Sequence, residues 1–595
     1  MKNKLLSIII LIAIWNCGTL TKTSSSPEIT IEELREHIGF LASDSLKGRK
    51  PGTPEGRISA EYITEQIKNC GFQPIGDNGC QYFEVVTSLN LGINNSLNFG
   101  NFTGVINTDF TPLGFTANAS VSAPVVFAGY GFNINEDSLK WNDYSNIDAY
   151  GKLVIILRGD PELENSESKF IPYSSERKKV MIAQDFGAVG VLFVSGNEMD
   201  EQDELLPLIY DQVPSRAEIS AIHITRNVAN QLLGNSSTTI SDLEATLNAN
   251  RNPISFEINQ IINAQTDVQL TPVTTQNVVA VLPGSDQILK DEYILLGAHY
   301  DHLGFGGPGT SSRTPELHEI HNGADDNASG VAAIIELAEK LSANRNNIKR
   351  SILFMSFGAE EMGLLGSKYF TKNPLIDLEQ IKLVFNLDMV GRLKPDSKEL
   401  IIGGTGTAPE MEEFLNTHSS ENYFIPKFSP GGYGPSDHAS FYLKDIPVLF
   451  FFTGVHDEYH TPADDIEKIN FEGEKHIVDF VYSLIMDATN RETNLTFQES
   501  GPKGNSGTRK KYKVKLGVVP DFTFSGNGFG IDDVVENGPA HIGGMQKGDA
   551  IISMEGKSVS NIYDYMNRLA DFKVGQRISI EVLRNNEKII LIVDL

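Results

Sequence analysis

Residues 293–302 read YILLGAHYDH, an apolar run that gives way at its end to histidine and aspartate. Three later apolar runs end in the same way, each followed closely by carboxylates or by a histidine. They are Ser351–Phe357 before Glu360-Glu361, Lys382–Phe385 before Asp388, and Pro447–Phe452 before His460. The alternation of such buried strands with helical segments predicts an α/β sheet covered by helices on both faces. Because ligands bind such sheets at the carboxyl ends of the strands, we expect the polar residues to meet there.

The side chains at these strand ends are of the kinds that bind divalent cations. The loop His321–Gly330, which contains Asp325-Asp326-Asn327, adds carboxylates ahead of a helix predicted at Val331–Leu341. Eight of the 12 histidines lie between His299 and His460. Imidazole and carboxylate ligands without thiolate are typical of catalytic zinc sites. Five such ligands with one shared carboxylate would hold two ions about 3.5–4 Å apart, as in two-metal hydrolases.

Each of these motifs alone is weak, because a lone His-x-Asp is usually a satisfied pair and a lone Glu-Glu is usually solvated. Together they form an ordered set: His299-Tyr300-Asp301, Asp325-Asp326-Asn327, Glu360-Glu361, Asn386-Leu387-Asp388, Tyr459-His460-Thr461-Pro462, Asp301-His302-Leu303-Gly304, Ser436-Asp437-His438 and Leu41–Arg49. This set resembles the di-zinc aminopeptidase family. The resemblance implies a fold of the zinc exopeptidase type, a mixed sheet with helices on both faces, and two Zn²⁺ per catalytic domain.

The resemblance also implies how five ligands divide between two ions. Asp326 would bridge both ions. His299 and Asp388 would complete one site, and Glu361 and His460 the other. All five ligand positions carry the expected residue types, so a catalytically dead relative is disfavoured.

Three further residues receive roles from the same resemblance. Glu360 would be the general base, which takes a proton from a metal-bound water and returns it to the leaving amine. Asp301 would orient His299 through the second nitrogen of its ring. Tyr459 resembles the tyrosine that stabilises the developing oxyanion in some members, and a packing aromatic beside a ligand is the alternative.

A β-rich insertion is predicted at residues 122–258, between two parts of the catalytic domain at 28–118 and 259–490. Its runs GKLVIILR at 151–158 and GAVGVLFV at 187–194 resemble a protease-associated (PA) domain. The resemblance implies a lid or a substrate-selecting role, and a spacer without contact to the site is the alternative.

The C-terminal segment 512–595 follows a polar linker at 491–511 and is also β-rich. Gly538-Pro539-Ala540 and Gly544–Asp549 make it similar to a PDZ domain of bacterial type. Leu516, Gly517, Val518 and Val519 would then be the carboxylate-binding loop. Such domains bind protein C-termini as an added strand, so those are the partners implied.

The first 17 residues are predicted to be an export signal. Two lysines precede the apolar run Leu5–Trp15, which is too short to cross a bilayer as a helix. Cys17 follows and resembles a bacterial lipoprotein processing site, although Asn16 is unusual there. An ordinary cleaved signal is the alternative. We expect a protein of the bacterial cell envelope, lipid-anchored through Cys17, or else a periplasmic or secreted one.

The composition excludes other classes. The 595 residues carry a net charge of −28, which argues against a nucleic-acid partner, since that needs a basic face. Three cysteines exclude a disulfide scaffold and Cys-rich zinc modules. Cys70 and Cys80 are either bridged across a short loop or free.

Three functions remain in view. The leading hypothesis is an exported, zinc-dependent aminopeptidase that acts on peptides with a free N-terminus. The first alternative is a di-zinc carboxypeptidase, because related glutamate carboxypeptidases share the zinc set and a PA domain but end in a helical dimerisation domain. The second is a non-catalytic peptide-binding protein, against which the intact ligands and Glu360 argue.

Overall fold

The computed structural model describes residues 28–595, except 137–138, 164, 166–167, 211–215, 235–237, 419–422, 502–513, 521–527, 536–537, 561, 571, 574 and 586. The predicted export signal at 1–17, with Cys17, therefore lies outside the described residues, as does 502–511 of the predicted linker. None of the described helices is long and apolar enough to span a membrane. Cys70 and Cys80 are free thiols, so the bridged alternative is wrong.

The described residues form strands of two to 15 residues in four sheets. The strands are β1 Gln73–Pro74, β2 Cys80–Leu91, β3 Ser96–Phe99, β4 Phe102–Thr103, β5 Phe110–Pro112, β6 Ala119–Ala128, β7 Asn133–Glu136, β8 Leu139–Asn142, β9 Leu153–Leu157, β10 Gly190–Val194, β11 Ser220–Ile224, β12 Ser255–Thr266, β13 Val268–Leu282, β14 Tyr293–His299, β15 Ser351–Phe357, β16 Ile381–Leu387, β17 Glu399–Gly403, β18 Ile425–Ser429, β19 Val448–Phe452, β20 Val518–Pro520, β21 Phe529–Val534, β22 Ala550–Met554, β23 Lys557–Ser558, β24 Arg577–Arg584 and β25 Glu587–Asp594.

The α-helices follow the same order along the chain. They are α1 Ile31–Leu41, α2 Pro54–Asn69, α3 Glu176–Asp185, α4 Arg226–Leu233, α5 Ile240–Asn250, α6 Gly330–Ala343, α7 Leu365–Lys372, α8 Met411–His418, α9 His438–Tyr442, α10 Phe471–Asn490, α11 Pro539–Ile542 and α12 Ile562–Ala570. The first two begin at threonine caps: the hydroxyl of Thr30 accepts the amide of Glu33, and that of Thr53 accepts the amide of Gly56.

The first sheet has nine strands in the order β1-β13-β15-β14-β16-β19-β17-β18, with β2 paired to β13. Strands β14, β15, β16 and β19 run parallel, whereas β13 and β17 run antiparallel to their neighbours in this group. Ile294 and Leu296 pack under α1, α2, α6 and α10, while Leu295 between them packs on the face with α7 and α9. The predicted mixed sheet with helices on both faces is confirmed.

The second sheet has eight strands in the order β4-β3-β12-β6-β9-β10-β11-β5, with β6, β9, β10 and β11 parallel. This sheet extends beyond the insertion predicted at 122–258, because β3, β4 and β5 precede it in the chain and β12 continues to Thr266. The chain crosses between the sheets where the amide of Gly92 donates to the carbonyl of Asp267 at 2.8 Å. The early strands have only two to four residues, too few for a periodic signal in sequence.

The third sheet has six strands, formed by β20 to β25, and it lies in the C-terminal segment. This segment contacts the second sheet's α3. Arg568 on α12 is buried and pairs with both carboxylate oxygens of Asp185, the second at 2.7 Å from Nη2. The predicted linker begins as a docked segment, because the amide of Gln498 donates to the carbonyl of Thr407 at 2.8 Å.

Candidate metal centre

The parallel strands of the first sheet bring the predicted ligands to one edge. His299 is the last residue of β14, Glu361 follows β15, and Asp388 follows β16. Asp326 lies in the turn that leads into α6, and His460 follows β19 after a loop. All five are buried or nearly so, and the hydrophobic strands behind them fix their backbones.

The five side chains form two groups that share Asp326. In the first, His299 Nε2 lies 3.3 Å from Asp326 Oδ1 and 3.4 Å from Asp388 Oδ1. In the second, His460 Nε2 lies 3.1 Å from Asp326 Oδ2 and 3.2 Å from Glu361 Oε2. Two ligands held about 2.0–2.1 Å from one tetrahedral ion are about 3.4 Å apart. The spacing therefore fits a divalent cation in each group.

In the second group, the carboxylates and imidazoles shift each other's pKa values strongly. Burial and the charge of Asp326 act to raise the pKa of Glu361, but His460 and His302 outweigh them and hold it at about 2. Burial acts to lower the pKa of His460, but Glu361 and Asp326 raise it to about 11. The carboxylates of this group therefore favour positive charge between them, which is the charge that a cation would bring.

Asp301 fixes the turn that carries Glu360. Its carboxylate accepts the amide of Glu360 at 2.9 Å and that of Glu361 at 3.3 Å. The nitrogen Nδ1 of His299 lies 3.2 Å from the backbone carbonyl of Asp301 and 3.9 Å from its carboxylate. The backbone carbonyl of Asp301 is thus closer to His299 than its carboxylate, which is turned to the two amides. The orienting role of the Asp301 carboxylate stays a prediction.

The Glu360 carboxyl lies beside the first group. Its Oε2 is 4.0 Å from His299 Nε2, farther than either ligand oxygen of that group. Burial, and then the charges of Glu361 and Asp437, hold the pKa of Glu360 well above its usual range although His299 acts to lower it. Glu360, His299 and Asp388 are also close enough together to bind one ion.

Tyr459 packs on a ligand and also faces the centre. Its ring stacks on that of His460 with centroids 3.7 Å apart, and the guanidinium of Arg313 lies 4.9 Å from its centroid. Burial and the charge of Asp326 raise its pKa. Arg313 and Ser311 belong to a loop that supports His460, whose Nδ1 lies 3.0 Å from the Ser311 carbonyl. Both interpretations of Tyr459, oxyanion donor and packing aromatic, are compatible with this position.

His302, which follows Asp301 in the motif Asp301-His302-Leu303-Gly304, is a site residue that the sequence did not predict. Its Nδ1 lies 2.7 Å from Glu361 Oε1, yet neither ring nitrogen makes an aligned hydrogen bond among the described residues. His302, Asp326 and Glu361 together form a group that can hold an ion. The motif His-Leu-Gly has no ligand spacing of its own, so only the fold reveals this contact.

Arg49, the last residue of the motif Leu41–Arg49, is a second residue whose role the sequence did not predict. It is fully buried and donates to four backbone carbonyls: Tyr300 at 2.8 Å, Leu41 at 2.6 Å, Asn322 at 2.5 Å and Gly323 at 3.0 Å. Burial lowers its pKa to about 10. Arg49 thereby ties the turn between α1 and α2 to the backbone just after His299 and just before Asp326.

A cleft with a volume of about 210 Å³ opens beside the second group, lined by His302 and Glu361. Part of its wall comes from the segment between β10 and β11 of the eight-stranded sheet, namely Leu208, Ile209 and Tyr210. A Cβ at Gly309 would lie 2.4 Å from Ile209 Cγ2, so the two modules fit closely at this point. The inserted module therefore reaches the candidate site.

The predicted carboxylate loop of the tail lies at the start of an edge strand. Leu516 and Gly517 precede β20, and their carbonyls accept the amides of Ala540 and Val535 at 2.8 and 2.9 Å. Gly517 has a φ of +78°, which favours glycine. Val518 and Val519 begin β20, which stands at the edge of its sheet. The placement suits strand addition, and peptide binding stays a prediction.

Fold and site together define an α/β protein whose sheet edge is built to hold metal ions. Residues 277–485 match the sequence profile of peptidase family M28, residues 121–232 that of the PA domain, and residues 512–595 that of the PDZ domain. One region of the chain is therefore similar to peptidase family M28, and two others are similar to the PA and PDZ domains. The three resemblances predicted from the sequence are confirmed.

Individual relatives cover different shares of the chain. Aminopeptidase YwaD of Bacillus subtilis (strain 168) is 26% identical over 385 residues, which are 63% of this chain and 69% of that protein. A probable leucine aminopeptidase of Arthroderma otae is 29% identical over 226 residues, 35% of this chain and 57% of that protein. Among solved structures, the aminopeptidase from Aneurinibacillus sp. strain AM-1 matches with a TM-score of 0.48 and 24% identity, over 79% of this chain and 96% of that one.

Proposed function

We propose that this chain is an exported, zinc-dependent aminopeptidase that removes N-terminal residues from peptides. The observation that carries the proposal is the pair of ligand groups joined at Asp326, with the Glu360 carboxyl buried beside them. Zinc is the ion because imidazole and carboxylate ligands without thiolate suit a catalytic zinc site. Relatives named as aminopeptidases support the choice of reaction.

Two ions are proposed, one at His299 and Asp388 and one at Glu361 and His460, with Asp326 between them. Zinc ions so held would supply the charge that makes water acidic near neutral pH and polarises a peptide carbonyl. The carboxylates and imidazoles that hold them are fixed by buried strands before any ligand arrives. The site is thus organised in advance, which reduces the cost of binding.

The chain's own residues carry the proton. The Glu360 carboxyl is buried, and Asp301 fixes its backbone amide at 2.9 Å, so the carboxyl stays beside the ligand groups. From there it accepts a proton from the attacking water and passes it to the leaving amine. The hydroxyl of Tyr459 donates to the substrate oxygen that gains negative charge.

A panel of dipeptides with free and blocked termini tests this function, together with zinc analysis of the purified protein. N-acetylation is expected to abolish cleavage, whereas C-terminal amidation leaves it measurable. If N-acetylated peptides are cleaved and amidated ones are not, the enzyme is a carboxypeptidase. If no peptide is cleaved by the zinc-loaded protein, the non-catalytic alternative replaces the proposal.

Export and the partners of the tail belong to the same proposal. Lys2, Lys4 and the apolar run Leu5–Trp15 support export, and Cys17 supports a lipid anchor. The edge position of β20 supports capture of protein C-termini by the PDZ domain. Fractionation of cells that express the wild type and Cys17→Ser tests the anchor: the variant is expected to leave the membrane fraction and stay outside the cytoplasm.

A further inference from the structure

The cleft beside the second ligand group contains one lysine. Lys50 is the only lysine or arginine among its lining residues, all of which the structure describes. The remaining lining is largely apolar or uncharged, with Leu89, Ile209 and Met362 among it, and Glu361 is its one acid. Because Glu361 belongs to the candidate metal centre, the described lining residues offer no other acid to pair with Lys50.

The fold holds this lysine in place. Its carbonyl accepts both the amide of Thr53 at 3.2 Å and the hydroxyl of Thr53 at 2.7 Å. The preceding residue, Arg49, is fixed by the hydrogen bonds that it donates to four backbone carbonyls. A Cβ added at Gly304 would lie 3.1 Å from Lys50 Cβ and 3.2 Å from Lys50 Cδ. The lysine stem therefore lies against the loop that follows His302, where any larger residue at 304 would displace it.

The ammonium group of Lys50 has no ion pair with any described residue. Burial lowers its pKa, and no acidic neighbour acts against this effect. Lys47, three residues earlier, pairs with Glu55 at 2.8 Å. Lys50 is half-buried, and among the described residues its ammonium group has neither a carboxylate nor a carbonyl partner, unlike buried Lys179, which donates to two carbonyls. Since an unpaired charge out of water costs free energy, an anion that enters the cleft is bound favourably.

We infer that Lys50 binds a carboxylate of the peptide close to the scissile bond, which makes acidic peptides and free dipeptides the preferred substrate class. The inference rests on the proposed function, because it places the peptide at the neighbouring ligand groups. The carboxylate has two sources: the C-terminus of a dipeptide, or the side chain of an acidic residue next to the bond. A charge-assisted hydrogen bond to an ammonium group has the strength to set such a preference.

Matched substrate pairs separate these sources. Leucyl-glycine against its amide tests the terminal carboxylate, and amidated dipeptides with Glu or Gln at either position test the side chain. For at least one pair, the wild type is expected to show kcat/KM at least about tenfold higher for the member with the carboxylate. Lys50→Met is expected to bring that ratio close to one, and Lys50→Arg to keep most of it.

The ratio within each pair is the readout, so a general loss of activity in a variant does not imitate the result. Lys47→Met, which removes a nearby ammonium group on the surface, is the control and is expected to keep the wild-type ratio. A wild-type ratio near one in every pair overturns the inference and leaves the aminopeptidase intact, as does an unchanged ratio in Lys50→Met. Failure to cleave any peptide with a free N-terminus contradicts the proposed function, and the inference with it.

Discussion

Two sheets of this chain carry polar residues at the carboxyl ends of four adjacent parallel strands, and they use these residues differently. In the nine-stranded sheet, both ring nitrogens of His302, one oxygen of Glu361 and both carboxylate oxygens of Asp437 are buried without an aligned hydrogen-bond partner. Buried polar atoms of this kind cost free energy unless something binds them. This edge is therefore incomplete without cations.

In the eight-stranded sheet, two buried polar residues near the strand ends, Lys179 and His223, are satisfied by their own neighbours. The ammonium group of Lys179 donates to the carbonyls of Leu157 and Gly159 at 2.7 and 2.6 Å, at the end of β9. His223 accepts the amide of Leu206 at 3.0 Å. Among the described residues, both groups able to hold a metal ion lie in the nine-stranded sheet. In these two sheets, the polar residues near strand ends that form candidate metal sites include those whose buried atoms lack hydrogen-bond partners.

The largest expected effect is that of Glu360→Gln on turnover. The variant keeps the shape of the side chain but cannot accept a proton, so kcat is expected to fall by about 10²–10⁴-fold. Zinc content is expected to stay at the wild-type level, because Glu360 Oε2 lies 4.0 Å from His299 Nε2, outside the ligand spacing. Steady-state kinetics and metal analysis check both parts.

Two results would change the assignment of Glu360. Retained turnover would remove it as the base. A loss of zinc together with activity would make it a ligand, as its closeness to His299 and Asp388 allows. Glu379→Gln, at an acid outside the site near the start of β16, is the matched control.

His302→Ala is expected to weaken zinc binding by about 10–100-fold. His302 Nδ1 lies 2.7 Å from Glu361 Oε1, so its removal leaves that carboxylate free to turn away from the second group. Competition with a chelator measures the affinity. His476→Ala, which removes a partly exposed imidazole from α10, is expected to have no effect. Equal affinities in all three proteins would show that His302 neither binds the ion nor positions a ligand.

The strand logic predicted the metal centre because parallel strands end at one edge whatever their spacing in sequence. His299, Asp388 and His460 lie far apart along the chain, yet β14, β16 and β19 bring His299 beside both Asp388 and Asp326, and His460 beside Asp326. The contact between His302 and Glu361 was not predictable, because it depends on how the loop after β14 turns. The same holds for the Asp301 carboxylate, which could reach either the imidazole or the amides.

The wall of the cleft was also beyond prediction. The cleft is lined both by His302 and by Leu208, Ile209 and Tyr210, which lie more than 90 residues away in sequence. The two sheets that carry these residues are connected by β2 and β13, which pair with each other. The insertion itself was recognised from the buried strands β9 and β10, whose apolar runs are clear. The strands of this sheet that lie outside residues 122–258 were not predictable, since short strands such as β4 carry no periodicity.

Lys179→Met tests whether the hydrogen bonds of Lys179 stabilise the eight-stranded sheet. The change leaves the carbonyls of Leu157 and Gly159 buried without donors, so unfolding of the PA domain is expected to be easier by about 2 kcal/mol. The activity of the folded protein per zinc is expected to stay near the wild-type value. Urea unfolding and steady-state kinetics check the two halves. Lys140→Met, at an exposed position on β8, is the control. A loss of activity without a loss of stability would mean that this sheet takes part in catalysis.

The smallest expected effect is a pH dependence that His223 gives to the same domain. Burial, and then the charge of Arg158, lower its pKa to about 3, whereas in the unfolded chain it is about 6.5. Between these values the unfolded state binds the extra proton, so stability is fully present above about pH 6.5 and is lost as the pH falls toward 3. At pH 5.5 the loss from this residue is about 1 kcal/mol.

Urea unfolding at pH 7 and 5.5 measures the decline in the free energy of unfolding, and His223→Gln is expected to show a decline smaller by that amount. Asp143 has a pKa raised to about 7 by burial and acts in the opposite direction, but it is present in both proteins and cancels in the difference. Because His223 is the only histidine in residues 92–267, an equal decline in the two proteins would mean that its ring accepts a proton in the folded sheet as readily as in the unfolded chain. His223 would then not be an example of a buried polar residue that the eight-stranded sheet keeps hydrogen-bonded and uncharged, and the contrast with the nine-stranded sheet would fail at this residue.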